Sequence, residues 1–506
     1  MSNTSFKIAI CYPPLPDAKG IPLLGQNRQF QWANSPWRAY PMVPASAATL
    51  LKEQGYEVVW MDATSEGWGK EEFEKRLKEE SPNLIVFEVK TPVIKRYWQI
   101  VNEIKNNWRR TASQLQEITN IVLIGDHVTA LPKESMENCK VDYILTGGDY
   151  DFSLLNLCNH LTKGEKLNPG VWFRKKPEIG NQKSEIGNSG KFSLENNLND
   201  LPITDRKLTR WELYSKKNSN YKHTPGSYTM FARDCWYGKC TFCVWNQVLF
   251  PHGNYRVASV KHAIEEVENL VNNFGVREIM DDSGTFPCGE WLREFCHEII
   301  NRKLNKKVTI SCNMRFNSGL EEKDYELMGK ANFRFLLYGL ESANQETLEK
   351  IHKDMKVEQV KKTLIWAKKY GLEPHITVMV GYPWEEKEEV KNSLNLAKDL
   401  FNQGLVDSLQ ATIVVPYPGT ELFAECKKNN WLLTEDWDRY DMTECVMKTP
   451  FPSEELQAMV REFYSFSTQP KFIVRKILKV RTWDDVKQLG FFGFKFISKL
   501  LDFSRK

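Results

Sequence analysis

The stretch RDCWYGKCTFCVWN, residues 233–246, puts Cys235, Cys240 and Cys243 within one short loop. Thiolates are soft ligands that select zinc, copper(I) or iron–sulfur clusters. The spacing is C-x4-C-x2-C, one donor short of the four that a structural zinc site takes. His252, in the nearby FPHG, offers a fourth ligand and a Cys3His zinc site. Three thiolates also suit three corners of a [4Fe–4S] cluster, which leaves one iron open to bind something else. An open position is what a catalytic cluster needs and a structural one does not. Asp281 and Asp282 are a second candidate, a carboxylate pair for acid–base work or binding. Alternation along a strand sends one of them to the interior and packs the other outward. Cys288, Cys296, Cys312, Cys426 and Cys445 lack close spacing and read as buried, inert thiols.

Such a loop needs a frame. KIAICYP (7–13), the strand of 45–64, NLIVFEVKTP (83–92), NIVLIGDH (120–127) and VDYILTGGD (141–149) are apolar runs separated by helical patterns. That alternation predicts a doubly wound parallel sheet over residues 1–162, with ligands beyond the carboxyl ends of its strands. Residues 163–212 are rich in Asn, Lys, Gly and Ser, and EIGN occurs in them twice. They read as a linker with a mobile insertion. From Ser227 the alternation restarts. SYTMFAR, VREIMDDSG, KVTISCN, FRFLLYGLES, PHITVMVGYP and SLQATIVVPYPGT are six strands with helices between, the first helix being 258–274. Six βα units over 213–450 predict a partial βα barrel with chemistry at the carboxyl ends of its strands. The cysteine loop follows the first of those strands. Residues 451–506 read as helical.

The bulk numbers agree. The chain has 506 residues, 41% hydrophobic and 26% charged, with a net charge of +4. That charge is too small to argue for nucleic acid, and no basic module is appended. No apolar run is long enough to span a membrane, and the N-terminus lacks the pattern of a signal peptide. Eleven cysteines scattered through a long chain fit a reducing cytoplasm better than a disulfide framework.

Taken together, these segments resemble the cobalamin-binding branch of the radical S-adenosylmethionine (SAM) enzymes, over most of residues 6–450. Cys235, Cys240, Phe242 and Cys243 resemble that family's cluster loop, with four residues where three are usual between the first two cysteines. MDDSGTF (280–286), YGLES (338–342), VMVGYPWE (378–385) and PYPGTELF (416–423) resemble its later strand ends. The resemblance implies a [4Fe–4S] cluster on the three cysteines and SAM contacts at Phe242, Asp282, Ser283, Glu341 and Gly381. In the N-terminal domain it implies cobalamin beside Thr91, Gly125, His127, Gly147 and Gly148. Gly147-Gly148-Asp149 stands where Gly-Glu-Gly is usual, and the Asp-x-His-x-x-Gly signature of a cobalt-ligating histidine is absent.

The activity so implied is reductive cleavage of SAM to a 5′-deoxyadenosyl radical, followed by methyl transfer to an unactivated carbon. A cyclase or ring-rearranging enzyme on a tetrapyrrole-like substrate is the alternative. A non-catalytic cobalamin- or nucleotide-binding sensor with a zinc-stabilised loop is a second. The expected partners are a small-molecule, lipid or tetrapyrrole-like substrate and an electron donor such as flavodoxin or ferredoxin, with no nucleic acid. FQWANSPWRAY (30–40) and the C-terminal helices are expected to line the substrate entrance. The basic, aromatic segment 471–506 reads as a helical cap on the barrel or as a peripheral membrane contact.

Overall fold

The computed structural model describes residues 6–24, 30, 32–33, 37–111, 119–175, 185–218, 220–465, 480, 482–487 and 490. Its first sheet begins with β1 (Lys7–Tyr12), β2 (Glu57–Asp62), β3 (Leu84–Val89), β4 (Asn120–Gly125) and β5 (Tyr143–Leu145). These five run parallel in the order β2-β1-β3-β4-β5. β1, β3 and β4 bury nearly every residue, as strands covered on both faces do. The helices α1 (Met42–Glu53), α2 (Lys70–Glu80), α3 (Ile94–Thr111), α4 (Asp126–Ala130), α5 (Pro132–Asn138) and α6 (Tyr150–Lys163) follow the strands.

The sheet does not stop at residue 162. β6 (Val171–Arg174) and β7 (Ile186–Asn188) extend it as antiparallel strands, β7 at the edge. The expected linker therefore builds part of the domain, and its second EIGN supplies β7. Asn, Gly and Ser mask these strands in the sequence, because short strands near a sheet edge need few apolar residues. The expected mobile insertion includes 176–184, which lie outside the described residues.

The second sheet is parallel throughout: β8 (Gly226–Thr229), β9 (Glu278–Asp281), β10 (Thr309–Met314), β11 (Phe333–Glu341), β12 (Glu373–Val380) and β13 (Ser408–Ile413), paired in chain order. Its two end strands do not pair with each other, so this is the expected partial barrel. Helices α7 (Val260–Phe274), α8 (Glu290–Asn301), α9 (Glu322–Lys330), α10 (Val357–Lys369), α11 (Lys387–Asn402) and α12 (Glu421–Lys428) occupy the connections. α7 shows how the sequence sets such an element. Ser259 caps its start by accepting from the His262 N–H, its apolar residues recur at helical spacing, and Gly275 (φ 62°) ends it.

One apolar core packs the barrel's outer face against its helices. The other continues from the first sheet into the barrel through Met280, Phe335, Val415 and Tyr417. The amino-terminal end of the barrel is closed by charge. Arg334 donates to Glu278 (2.9 Å) and Glu373 (2.6 Å). Burial raises the Glu373 carboxyl, but Arg334 and Lys222 outweigh it and bring it down to about 2. The last helix in this region is α13 (Ser453–Ser465). Farther along, Asp484 accepts from His223 (3.0 Å) and Arg277 (2.8 Å), and Asp485 pairs with Lys222 (2.7 Å), at that same end. Most of 471–506 lies outside the described residues. Among the described residues no helix is long and apolar enough to cross a membrane.

Candidate functional site

β8 ends at Thr229, and the chain turns through Arg233 into the cysteine loop. A buried charge network anchors this turn. Arg233 donates to Asp151 (2.7 Å) and Asp149 (3.1 Å) at the start of α6. Arg256 adds bonds to Asp149 at 2.5 and 3.0 Å. Burial raises the Asp149 carboxyl, but these two guanidinium groups outweigh it and hold it below the usual range. Asp149 thereby clamps Arg233, the residue two positions before Cys235.

Within the loop, Cys240 is buried, while Cys235 and Cys243 are half-buried. Gly238 takes a left-handed turn (φ 66°) in the middle of the longer spacer. The buried Tyr237, in the same spacer, donates its hydroxyl to the His352 carbonyl (2.5 Å). The Arg315 guanidinium lies 3.9 Å from the Tyr237 ring centre. It also donates to Cys240 Sγ at 3.5 Å. The Cys235 sulfur lies 3.2 Å from Thr285 Oγ1. Gly284 lets the second strand end close on the loop, since a Cβ there would sit 2.9 Å from Cys235 Cβ.

Among the described residues no three His, Cys, Asp or Glu side chains converge where one metal ion could sit. His252 is exposed on the outer side of Gly238. Its Nδ1 lies 3.1 Å from where a Cβ on Gly238 would stand, beside the cysteine loop. The other eight thiols, all buried or nearly so, are pushed upward by burial, Cys139 and Cys158 to about 12.

Asp281 ends the second strand, Asp282 follows it, and both are buried. Asp281 is fully buried and accepts from Thr229 Oγ1 (2.9 Å), Phe231 N (3.0 Å) and Ser283 N (3.1 Å). Burial raises its carboxyl above the usual range. Asp282 faces Asn313 of β10 at 3.4 Å. Ser283 spends its hydroxyl on the Ala232 N–H (2.9 Å), so it braces the loop. Phe242 is half-buried against the barrel's outer core.

At the end of β11 the register slips between Gly339 and Glu341, and Glu341 adopts φ 63°. Such bulges re-aim a side chain. The Glu341 carboxylate folds back over Gly339 to meet Lys353 Nζ at 2.7 Å, both groups buried. A Cβ on Gly339 would sit 2.7 Å from that amine, so only glycine leaves the pair its place. Gly381 (φ 91°) ends β12, and Leu456 of α13 packs on it. Glu385 accepts from the Gly381 (3.0 Å) and Tyr382 (3.3 Å) N–H groups and holds this turn. Burial pushes its carboxyl up to about 7.

The site fits a polar ligand beside the cluster loop. The Tyr382 hydroxyl is buried with no hydrogen-bond partner among the described residues. It lies within the fields of Glu341, Glu385 and Cys240. The buried Trp236 Nε1, in the loop itself, is unpartnered too.

The strand ends of the first sheet give a different picture. After Cys243 the chain forms a π-helical turn, Trp245–Leu249, whose Leu249 carbonyl accepts from the Gly148 N–H (2.9 Å). The Phe250 ring covers Gly148, and the Phe192 ring covers Gly147 at 2.6 Å from a Cβ position. Gly125 (φ 120°) lies against the Val89 carbonyl. These three glycines therefore permit close packing in this arrangement. His127 is fully buried, with Nδ1 3.3 Å from Thr91 Oγ1 and Nε2 3.0 Å from Glu134 Oε2. Trp98 and Trp437 meet its ring edge-on. Both ring nitrogens and the Thr91 hydroxyl are thus engaged with protein. Two buried polar atoms in this region do lack partners, Asn246 Oδ1 and Trp32 Nε1. Lys90 Nζ stands 5.9 Å from the Trp245 ring centre. Of the expected entrance stretch, Phe30, Trp32, Trp37 and Tyr40 are buried; residues 31 and 34–36 lie outside the described residues.

Arg315, Lys353, Tyr382, Glu385 and the Arg233 clamp were not singled out in the sequence. Tyr382 and Glu385 stand inside VMVGYPWE, so their signal was present. Lys353 and Arg315 carry no motif of their own.

The geometry is that of a half-open barrel whose first loop carries three thiols toward the later strand ends. Residues 230–397 match the Radical SAM superfamily. The chain carries a radical SAM domain over these residues. It is 27% identical over 457 residues to an uncharacterized methyltransferase of Pyrococcus horikoshii, covering 87% of this chain and 90% of that one. It is 25% identical over 420 residues to the anaerobic magnesium-protoporphyrin IX monomethyl ester cyclase of Rubrivivax gelatinosus, covering 81% and 70%. Among solved structures, the cobalamin-dependent radical enzyme OxsB, with aqua-cobalamin and SAM bound, shares the fold. Its TM-score is 0.70 at 15% identity, over 98% of this chain and 72% of that one. The methyltransferase TsrM of Kitasatospora setae, with cobalamin and a [4Fe–4S] cluster bound, follows at 0.62 and 16%, over 84% and 75%.

Proposed function

We propose that this chain is a cobalamin-dependent radical SAM enzyme that transfers a methyl group to an unactivated carbon. One observation carries the reading: the cluster loop runs directly into the turn that docks on the first sheet's strand ends, through Gly148 N to Leu249 O (2.9 Å). Two cofactor domains are thus joined within a few residues of Cys243. The cluster with SAM supplies one-electron bond cleavage, and cobalamin supplies a transferable methyl group.

The chain's own residues bind and orient. Cys235, Cys240 and Cys243 would hold the cluster. Glu341, fixed by Lys353, and the open Tyr382 hydroxyl would hold SAM, with Asp282 at the barrel mouth. Lys90, Asn246 and Trp32 would meet the corrin's polar edge, in place of the glycines that Phe192 and Phe250 cover. His127, enclosed on both nitrogens, would leave cobalt unligated by protein. The apolar core that continues between the two domains excludes water from the space between them.

The likeness to the Rubrivivax cyclase favours ring closure on a tetrapyrrole as the second reading. The aromatic residues Trp60, Tyr150, Trp245 and Phe250 near the junction suit a planar substrate. A soluble one-electron donor and a cytoplasmic setting complete the proposal. Its test is an anaerobic assay of reconstituted protein with methyl-labelled SAM and cobalamin against tetrapyrroles, lipids and peptides. Label in a product carbon supports methyl transfer; a product of unchanged carbon count supports cyclisation.

A further inference from the structure

Arg315 follows β10 and is only 5% exposed, yet no carboxylate answers it among the described residues. Its Nε donates to Asn317 Oδ1 (3.0 Å), one Nη donates to the Lys353 carbonyl, and the other donates to Cys240 Sγ (3.5 Å). Its face lies on Tyr237, 3.9 Å from the ring centre. Lys353, whose carbonyl takes the Nη bond, is itself paired with Glu341 at 2.7 Å. Burying a guanidinium without a counter-charge is costly, and evolution-neutral packing would be better served by an apolar side chain. Among its hydrogen-bond partners in the described residues, the one able to carry negative charge is the sulfur.

We propose that Arg315 is a positioning residue for the cluster: it fixes Cys240 against the Lys353–Glu341 pair and supplies the positive charge that makes the cluster easier to reduce. The inference rests on the cluster assignment given above. Reduction adds a negative charge, and a cation held close in a poorly solvated site favours the reduced form. Hydrogen bonds to ligand sulfurs act in the same direction. The same side chain ties the first-strand loop to the fourth-strand end, so Cys240 and Glu341 move as one unit. The four-residue spacer before Cys240 carries Tyr237, which stacks on the guanidinium.

The test compares reconstituted wild type, Arg315→Gln and Arg315→Lys by iron content and by redox titration followed by electron paramagnetic resonance. The Gln variant should keep its iron and become at least tenfold harder to reduce, a downward shift of about 59 mV for one electron. The Lys variant, which keeps the charge, should lie between the two. A Gln variant that loses iron while the Lys variant retains it also supports the role of the charge. Equal potentials in wild type and Gln variant, or iron loss in both variants alike, would overturn the proposal. A wild type that assembles no cluster would overturn the cluster assignment itself, which separates the two failures.

Discussion

Replacing Arg233 by methionine removes the cation that two buried acids share. Asp149 keeps Arg256 and Asn196 as donors, so most of the damage falls on Asp151. Asp151 is fully buried and is left with the Phe152 N–H at 3.0 Å. Breaking a buried pair from one side costs about 3–5 kcal/mol, because a charge stays behind without compensation. With a urea slope of roughly 3 kcal/mol per molar, the unfolding midpoint of the apo protein should fall by on the order of 1 M. Burial already raises the Asp151 carboxyl, and losing Arg233 raises it further. The folded variant therefore takes up a proton that the unfolded chain gives up, and the deficit should shrink as pH falls toward 5. Adding Asp151→Leu should recover much of the loss, since an apolar replacement of a buried pair is often neutral. Iron incorporation should fall as well, because Cys235 stands two residues beyond the clamp. A midpoint and iron content equal to wild type would refute the claim that this network positions the loop.

Two further outcomes follow from the same geometry. Glu385 stands at about 7 in the folded protein against 4.5 as its ordinary value. The folded state keeps a proton that the unfolded state releases between those values, so this contribution is full below about pH 4.5 and is lost as pH rises through 7. Its size is at most about 3 kcal/mol, and Glu385→Gln should flatten the dependence of amide-exchange protection at Gly381 and Tyr382 on pH across that window. In Gly148→Ala the new Cβ meets the Phe250 ring. The variant should lose about 1–3 kcal/mol by overpacking, and hydrogen exchange at Gly148 should quicken unless Phe250→Ala is added.

The alternation of apolar runs made both sheets legible, because strands buried on both faces carry the signal on every residue. The strand ends were therefore located well: Gly125, Glu341 and Gly381 all close strands. The short antiparallel strands Val171–Arg174 and Ile186–Asn188 were read as linker, since their pairing satisfies the backbone with little apolar burial. The cysteine loop was legible from thiol spacing, which left zinc and a cluster both open until the resemblance of the later strand ends was added. Its supports were not, because Arg315, Lys353 and Arg233 act through contacts 12 to 84 residues away in the chain. Nor does a glycine announce its use. Gly147 and Gly148 read as a floor for a cofactor, but rings from Phe192 and Phe250 fill the space their missing side chains leave.

The account stands most directly on the three thiols of residues 233–246. Anaerobically reconstituted protein should bind about four irons per chain with matching sulfide. Its reduced spectrum by electron paramagnetic resonance should change when SAM is added, as an open iron requires. Cys243→Ala should abolish both. A Cys243→Ala protein that keeps the same iron and the same response to SAM would contradict the assignment.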